Sequence, residues 1–193
     1  MSHNHNGNCL YIKGGEMLEI HTSAKVLTEN TESHGWDIEC ALTEHREGIV
    51  KYCYSLLLDY HEAQDAAQDV LLTAICKAAS LRDRSKIGIW LYRIAYNTCM
   101  NIIKRKKLFN LFLQKEAAQT NSHSHEDSYS VGISKELRSA LNTLSHRDRA
   151  LVYNRVVDEM DYGQLEEIYG VKANTLRKRY ERARKKLEEK MKG

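Results

Sequence analysis

A chain of 193 residues, 42% hydrophobic and 28% charged, holds enough apolar material for one ordinary domain or two small ones. Proline is absent and no long run alternates apolar and polar residues, which disfavours sheet and points to an all-helical chain. No stretch of about 18 apolar residues occurs, so membrane insertion is not expected. The start, MSHNHNGNCLYIKGGEM, lacks the charged and apolar runs of a signal peptide, so a cytoplasmic location is expected; Met17 is a second candidate initiator. Cys9, Cys40, Cys53, Cys76 and Cys99 form no CxxC pair. They read as reduced, mostly buried thiols rather than a zinc site or disulfide framework.

The net charge is only +3, but it is unevenly spread. Residues 72–115 hold 10 basic and 1 acidic residues, and residues 172–193 hold 10 and 3. The segments before and between them are acidic. Two basic blocks suit two contacts with a polyanion, although two solvated helical faces give the same pattern.

Residues 1–40 read as a weakly structured N-terminal extension. From Ala41, Leu42, Ile49, Cys53, Leu56, Leu57 and Tyr60 recur at helical spacing. A second helix places Ala63, Ala66, Ala67, Val70, Leu71, Ala74, Ile75 and Ala78 on one face. Its opposite face carries Glu62, Asp65, Gln68 and Asp69, suited to a basic partner. After a polar, basic break at Leu81–Gly88, a third helix runs from about Ile89 to Lys107. It combines Trp90, Tyr92, Arg93, Tyr96 and Asn97 with a cationic cluster at Lys104–Lys107. Aromatics beside cations are what unstacked bases and their phosphates need.

Residues 108–133 are expected to be a flexible linker. His123, His125 and Glu126 lie in it, but no further ligand is near, so no metal and no other cofactor is expected. Beyond it, residues 134–193 form a second unit. Leu137, Ala140, Leu141 and Leu144 mark one short helix. Ser145 with Asp148 opens the next, and Asp161 caps a third that stops at Gly170. Leu165, Tyr169, Gly170, Val171 and Leu176 then have the spacing of a helix-turn-helix. The final helix, KANTLRKRYERARKKL, keeps Leu176, Tyr180, Ala183 and Leu187 on one face. Its other faces carry cations, the division a recognition helix needs.

EAQDAAQDVLLTA (Glu62–Ala74) resembles the A-x-D-x-x-Q-[DE]-V region 2 signature of extracytoplasmic-function sigma factors of RNA polymerase, in the sigma-70 family. WLYRIAYNTCMNIIKRKK (Trp90–Lys107) is similar to that family's W-L-x-R-I-A-x-N stretch and basic cluster, and Leu141–Leu187 resembles its region 4. The pattern departs at Gln64, Asn101 and Glu166, where an acid, Asp and Ala are usual. The resemblance implies an all-α fold: a region 2 helical bundle over 41–107 and a region 4 helix-turn-helix over 134–193.

It implies a non-enzymatic factor that binds core RNA polymerase, at the β′ clamp helices and the β flap, and directs initiation at promoter DNA. Asp65, Gln68 and Asp69 would meet polymerase. Trp90, Arg93, Asn97, Lys104 and Arg105 would meet the −10 element. Lys172, Asn174, Thr175, Arg177, Lys178 and Arg179 would meet the −35 element. An anti-sigma factor is a further partner that the resemblance allows. The same residues would also suit an autonomous helix-turn-helix regulator, or a sigma-like interaction protein without initiation activity.

Overall fold

The computed structural model describes residues 9–13, 16–20, 38–116 and 134–192. The chain divides into two compact units, Met1–Glu39 and Cys40–Gly193. In the first, β1 (Cys9–Lys13) pairs antiparallel with β2 (Glu16–Ile20), Cys9 opposite Ile20 and Lys13 opposite Glu16. Residues 1–40 are expected from the sequence to be a weakly structured extension; the described residues before α1 form this two-stranded pair. Two five-residue runs rich in Leu, Ile, Tyr and Met flank Gly14-Gly15, a recognisable hairpin signal.

The second unit opens with three helices. α1 spans Ile38–Leu57, α2 Tyr60–Cys76 and α3 Ile87–Glu116. α1 stops where Leu58 turns left-handed (φ 55°) and its N–H donates to the Tyr54 carbonyl at 2.8 Å. Asp59 then caps α2, accepting the Glu62 N–H at 2.9 Å. The alanines Ala63, Ala66, Ala67 and Ala74 are fully or almost fully buried with Val70, so α2 can lie close along α3. Leu42, Ile49, Tyr52, Cys53 and Leu56 of α1, with Leu91, Ala95 and Cys99 of α3, complete this core.

Ile75 is 41% exposed rather than buried with the alanines, and Leu72 beside it is 39% exposed. Cys53 and Cys99 are buried, but Cys40 and Cys76 are exposed, so the expectation of mostly buried thiols holds for two of these four cysteines. α3 also continues past Lys107 through Leu108–Glu116. No Gly or Pro interrupts LFNLFLQKE, and its residues are mostly good helix formers. Residues 117–133, with His123, His125 and Glu126, lie outside the described residues.

Four helices follow: α4 (Lys135–Asn142), α5 (His146–Val156), α6 (Tyr162–Tyr169) and α7 (Ala173–Lys192). Ser134, Ser145 and Asp161 cap the first three, each accepting a backbone N–H three residues on. At Asp161 the Gln164 side chain accepts the Asp161 N–H in return, closing a capping box. Leu151, Met160, Leu165, Ile168 and Leu176 form the core of this half.

That core does not stop at the half's own boundary. Ile89, Tyr92 and Tyr96 of α3 pack against it, and α6 lies on α3. The Tyr52 and Tyr169 hydroxyls meet at 3.2 Å, and Tyr169 donates to the Asn154 side chain at 2.5 Å. Arg138 donates to the Leu58 carbonyl at 2.7 Å, and Lys86 pairs with Glu167 at 2.8 Å. The two sets of helices therefore form one closed body in this structure.

Candidate nucleic-acid interface

Gly170 ends α6 at φ 64°, ψ 28°. Nothing lies within 4 Å of where its Cβ would be, so glycine is required by conformation, not by space. Its N–H donates to the Glu166 carbonyl at 2.9 Å. Val171 packs on the core, and the turn delivers α7 with Leu176 and Ala183 buried. The burial of this stripe leaves Lys172, Asn174, Thr175, Arg177 and Lys178 exposed at the start of α7. They form one contiguous cationic and hydrogen-bonding surface.

Arg179 differs from its neighbours. It turns back onto α5, where its Nη2 and Nε donate to Asp148 at 2.8 and 3.2 Å. Its side chain is only 20% exposed. The pair ties α7 to the start of α5, so this guanidinium is engaged within the fold.

Glu166 stands where close helix approach favours a small residue. The side chain escapes the crossing because it lies on the exposed side, and its Oε2 accepts the Ala173 N–H at 2.9 Å. Ala173 is the first residue of α7, whose N–H has no partner within the helix. Glu166 departs from the usual Ala, and its carboxylate caps α7.

On α3, Arg93, Asn97, Lys104 and Arg105 are exposed and Trp90 is half-buried. Residues 90, 93, 97 and 104 share one helix face. Tyr92 and Tyr96 do not join it. Tyr92 meets Tyr52 edge-on with centroids 4.9 Å apart, and Tyr96 meets Tyr169 at 4.8 Å. Burial pushes the Tyr92 and Tyr169 hydroxyls well above the usual tyrosine range. Both residues stay neutral and serve packing.

Asp65 and Gln68 are exposed on α2 and Asp69 is half-buried. Burial raises the Asp69 carboxyl, opposed by Arg105 and reinforced by Asp65. The acidic face thus adjoins the basic end of α3, where Lys106 also pairs with Glu62. The exposed Leu72 and Ile75 extend that acidic face by helical spacing. The sequence signal for them is that Leu72 lies four and three residues after Gln68 and Asp69, and Ile75 three after Leu72.

Residues 41–109 match Sigma-70 region 2, and residues 134–187 match Sigma-70, region 4. The chain belongs to the sigma-70 family, in its extracytoplasmic-function branch. This sigma factor is 27% identical over 155 residues to the ECF RNA polymerase sigma factor SigW of Bacillus subtilis, covering 74% of this chain and 82% of that one. It is 24% identical over 144 residues to the RNA polymerase sigma factor SigV of the same organism, covering 75% and 84%. In fold it is similar to the sigma factor RpoE of Bartonella quintana, solved in complex with the anti-sigma factor NepR. The TM-score is 0.66 at 24% identity, over 81% of this chain and 97% of that one. The sigma factor binds core RNA polymerase and directs promoter-dependent transcription initiation, and its family is non-enzymatic. Among the described residues, no helix is long and apolar enough to cross a membrane.

Proposed function

We propose how the work of initiation is divided along the chain. Residues 41–107 form a region 2 domain that docks on the β′ clamp helices through Asp65, Gln68 and Asp69, with Leu72 and Ile75 as the apolar part of that contact. Exposed apolar side chains beside exposed carboxylates suit a partner that is both basic and apolar. Trp90, Arg93, Asn97, Lys104 and Arg105 form one surface for the −10 element, the tryptophan stacking and the cations meeting phosphate.

Residues 134–193 form a region 4 domain that engages the β flap and reads the −35 element. Lys172, Asn174, Thr175 and Arg177 are the base-reading set, because recognition helices contact bases from their first turns. Lys178 and the more distal Arg182 and Lys185 meet phosphates. Arg179 acts through Asp148, holding α7 at its angle to α5. The observation that carries this reading is the partition of α7: Leu176 and Ala183 buried, the cations beside them exposed, after a left-handed Gly170 turn.

The −10 and −35 elements lie about 25 base pairs apart, on the order of 85 Å of duplex. With α6 lying on α3, the two readers cannot reach both. Engagement therefore requires the seam at Tyr52, Tyr96 and Tyr169 to open, with the chain between α3 and α4 as the connection. An open cleft between α3 and the start of α5 is lined by Leu57, Met100, Ile103 and Leu111 together with Lys104, Lys106, Lys107 and Arg147, and by Glu62. It suits an acidic amphipathic helix, such as an anti-sigma factor would offer. The cytoplasm, where polymerase works, is the site of action.

Promoter-library transcription with core polymerase tests the orientation of α7. Arg177→Ala should relax preference at one −35 base pair, costing about 1–3 kcal/mol there. Lys185→Ala should weaken all promoters alike. The reverse outcome would reverse the helix.

A further inference from the structure

Tyr162 begins α6, and its half-buried ring packs against the core of Leu151, Met160, Leu165, Ile168 and Leu176. The core fixes where the ring sits. Two guanidiniums lie over that ring: Arg177 of α7 at 5.1 Å from the centroid and Arg155 of α5 at 5.0 Å. They are not equivalent. Arg155 is held by a hydrogen bond from its Nη1 to the Met160 carbonyl and also lies 5.9 Å from the Tyr180 ring. Arg177 is exposed; its partner on the protein is the Tyr162 ring.

A free arginine near DNA has two kinds of acceptor. Phosphate oxygens are more numerous and carry full charge, whereas the O6 and N7 edge of guanine demands a particular placement of the planar fork. Swinging to phosphate discards sequence information. An aromatic platform restricts the guanidinium before DNA arrives, so less conformational freedom is lost on contact.

We propose that Tyr162 is a specificity-determining positioning residue for −35 recognition, its ring holding the Arg177 guanidinium in place to contact a base edge. This rests on the reading that Arg177 contacts a base. The hydroxyl is not required; the π face is.

The test is promoter-library transcription with core polymerase and the full chain, comparing Arg177→Ala, Tyr162→Phe, Tyr162→Trp, Tyr162→Leu and the double variant Tyr162→Leu/Arg177→Ala. Phe and Trp should keep wild-type preference. Leu should lower discrimination about two- to five-fold at the base pair that Arg177→Ala affects and nowhere else. The double variant should be no worse there than Arg177→Ala alone. If the Leu variant does not fold, Tyr162→Met takes its place with the same expectation. Should Arg177→Ala leave −35 preference unchanged, the base-contact reading fails and this proposal fails with it. Should Arg177→Ala relax preference while Tyr162→Leu does not, or should Phe lose as much as Leu, or should the double variant lose more, only the role of Tyr162 is overturned.

Discussion

The Glu166 carboxylate accepts a hydrogen bond from the Ala173 backbone N–H at 2.9 Å across the turn between α6 and α7. The Glu166 carbonyl accepts the Gly170 N–H at the same distance. One residue thereby closes the helix before the turn and starts the helix after it. Ala173 follows Lys172, whose own side chain cannot accept a hydrogen bond, so no ordinary capping residue serves α7.

Replacing Glu166 should therefore cost stability. Glu166→Ala leaves the first N–H of α7 to water and should destabilise by about 0.5–1 kcal/mol, the lower part of the capping range. Glu166→Gln keeps an acceptor oxygen and should lose less. Chemical denaturation of the two variants, side by side with the parent, gives the ordering.

Arg179 and Arg177 should separate by phenotype although they stand two residues apart. Arg179→Ala breaks the two hydrogen bonds to Asp148 and should lower stability by on the order of 1 kcal/mol. Promoters should keep their relative order. Arg177→Ala should leave the melting temperature nearly unchanged and alter that order. Melting curves and promoter-library transcription on both variants read the two effects independently.

The closed seam makes a prediction about shape. Tyr96→Ala with Glu167→Lys removes the edge-on contact with Tyr169 and sets Lys86 opposite a like charge. Neither position lies in the base-reading set. Energy transfer between labels at exposed positions 61 and 185 should fall relative to the parent, reporting separation of α7 from α2. Binding to polymerase should strengthen, since less of the chain is held closed.

Asp158 adds a pH dependence whose sign is fixed. Burial raises its carboxyl from the ordinary 3.8 to about 6, while hydrogen bonds from Tyr92 and Asn154 pull it down. The packed state thus holds the proton more tightly than an open chain. Its contribution is fully present below about pH 4 and is lost as pH rises through 6. Thermal unfolding between pH 4 and 7 should show the parent losing stability relative to Asp158→Asn over that interval. A constant difference would remove Asp158 from the account.

Much of this architecture was legible because helices announce themselves by local spacing. The buried faces of α1 and α7 follow the periodic residues, and the Asp161 cap and Gly170 turn lie where turn chemistry places them. Ile75 is exposed although its spacing matches the buried alanines, because it sits at the margin of that face, where a few tens of degrees decide burial. The tyrosine seam was not legible: Tyr52 and Tyr169 are 117 residues apart, and nothing periodic links them. The Arg179 pairing is not legible for the same reason, since its partner Asp148 lies 31 residues earlier. The pairing of Cys9–Lys13 with Glu16–Ile20 has a readable signal in the Gly14-Gly15 between them.

Transcription in vitro reads polymerase binding and promoter choice by this chain together. Core polymerase lacking any other sigma factor is mixed with the full chain and a promoter library, alongside the variant Asp65→Arg/Asp69→Arg. The parent should yield transcripts from promoters sharing both a −35 and a −10 motif. The charge-reversed variant should keep its fold, because Asp65 is exposed and Asp69 only half-buried. It should lose polymerase binding and transcription together, a cost of several kcal/mol at a charged interface. Promoter-specific transcription by the variant at the parent's level would contradict the α2 docking face. Operator binding by the parent without any polymerase-dependent transcript would contradict the account as a whole.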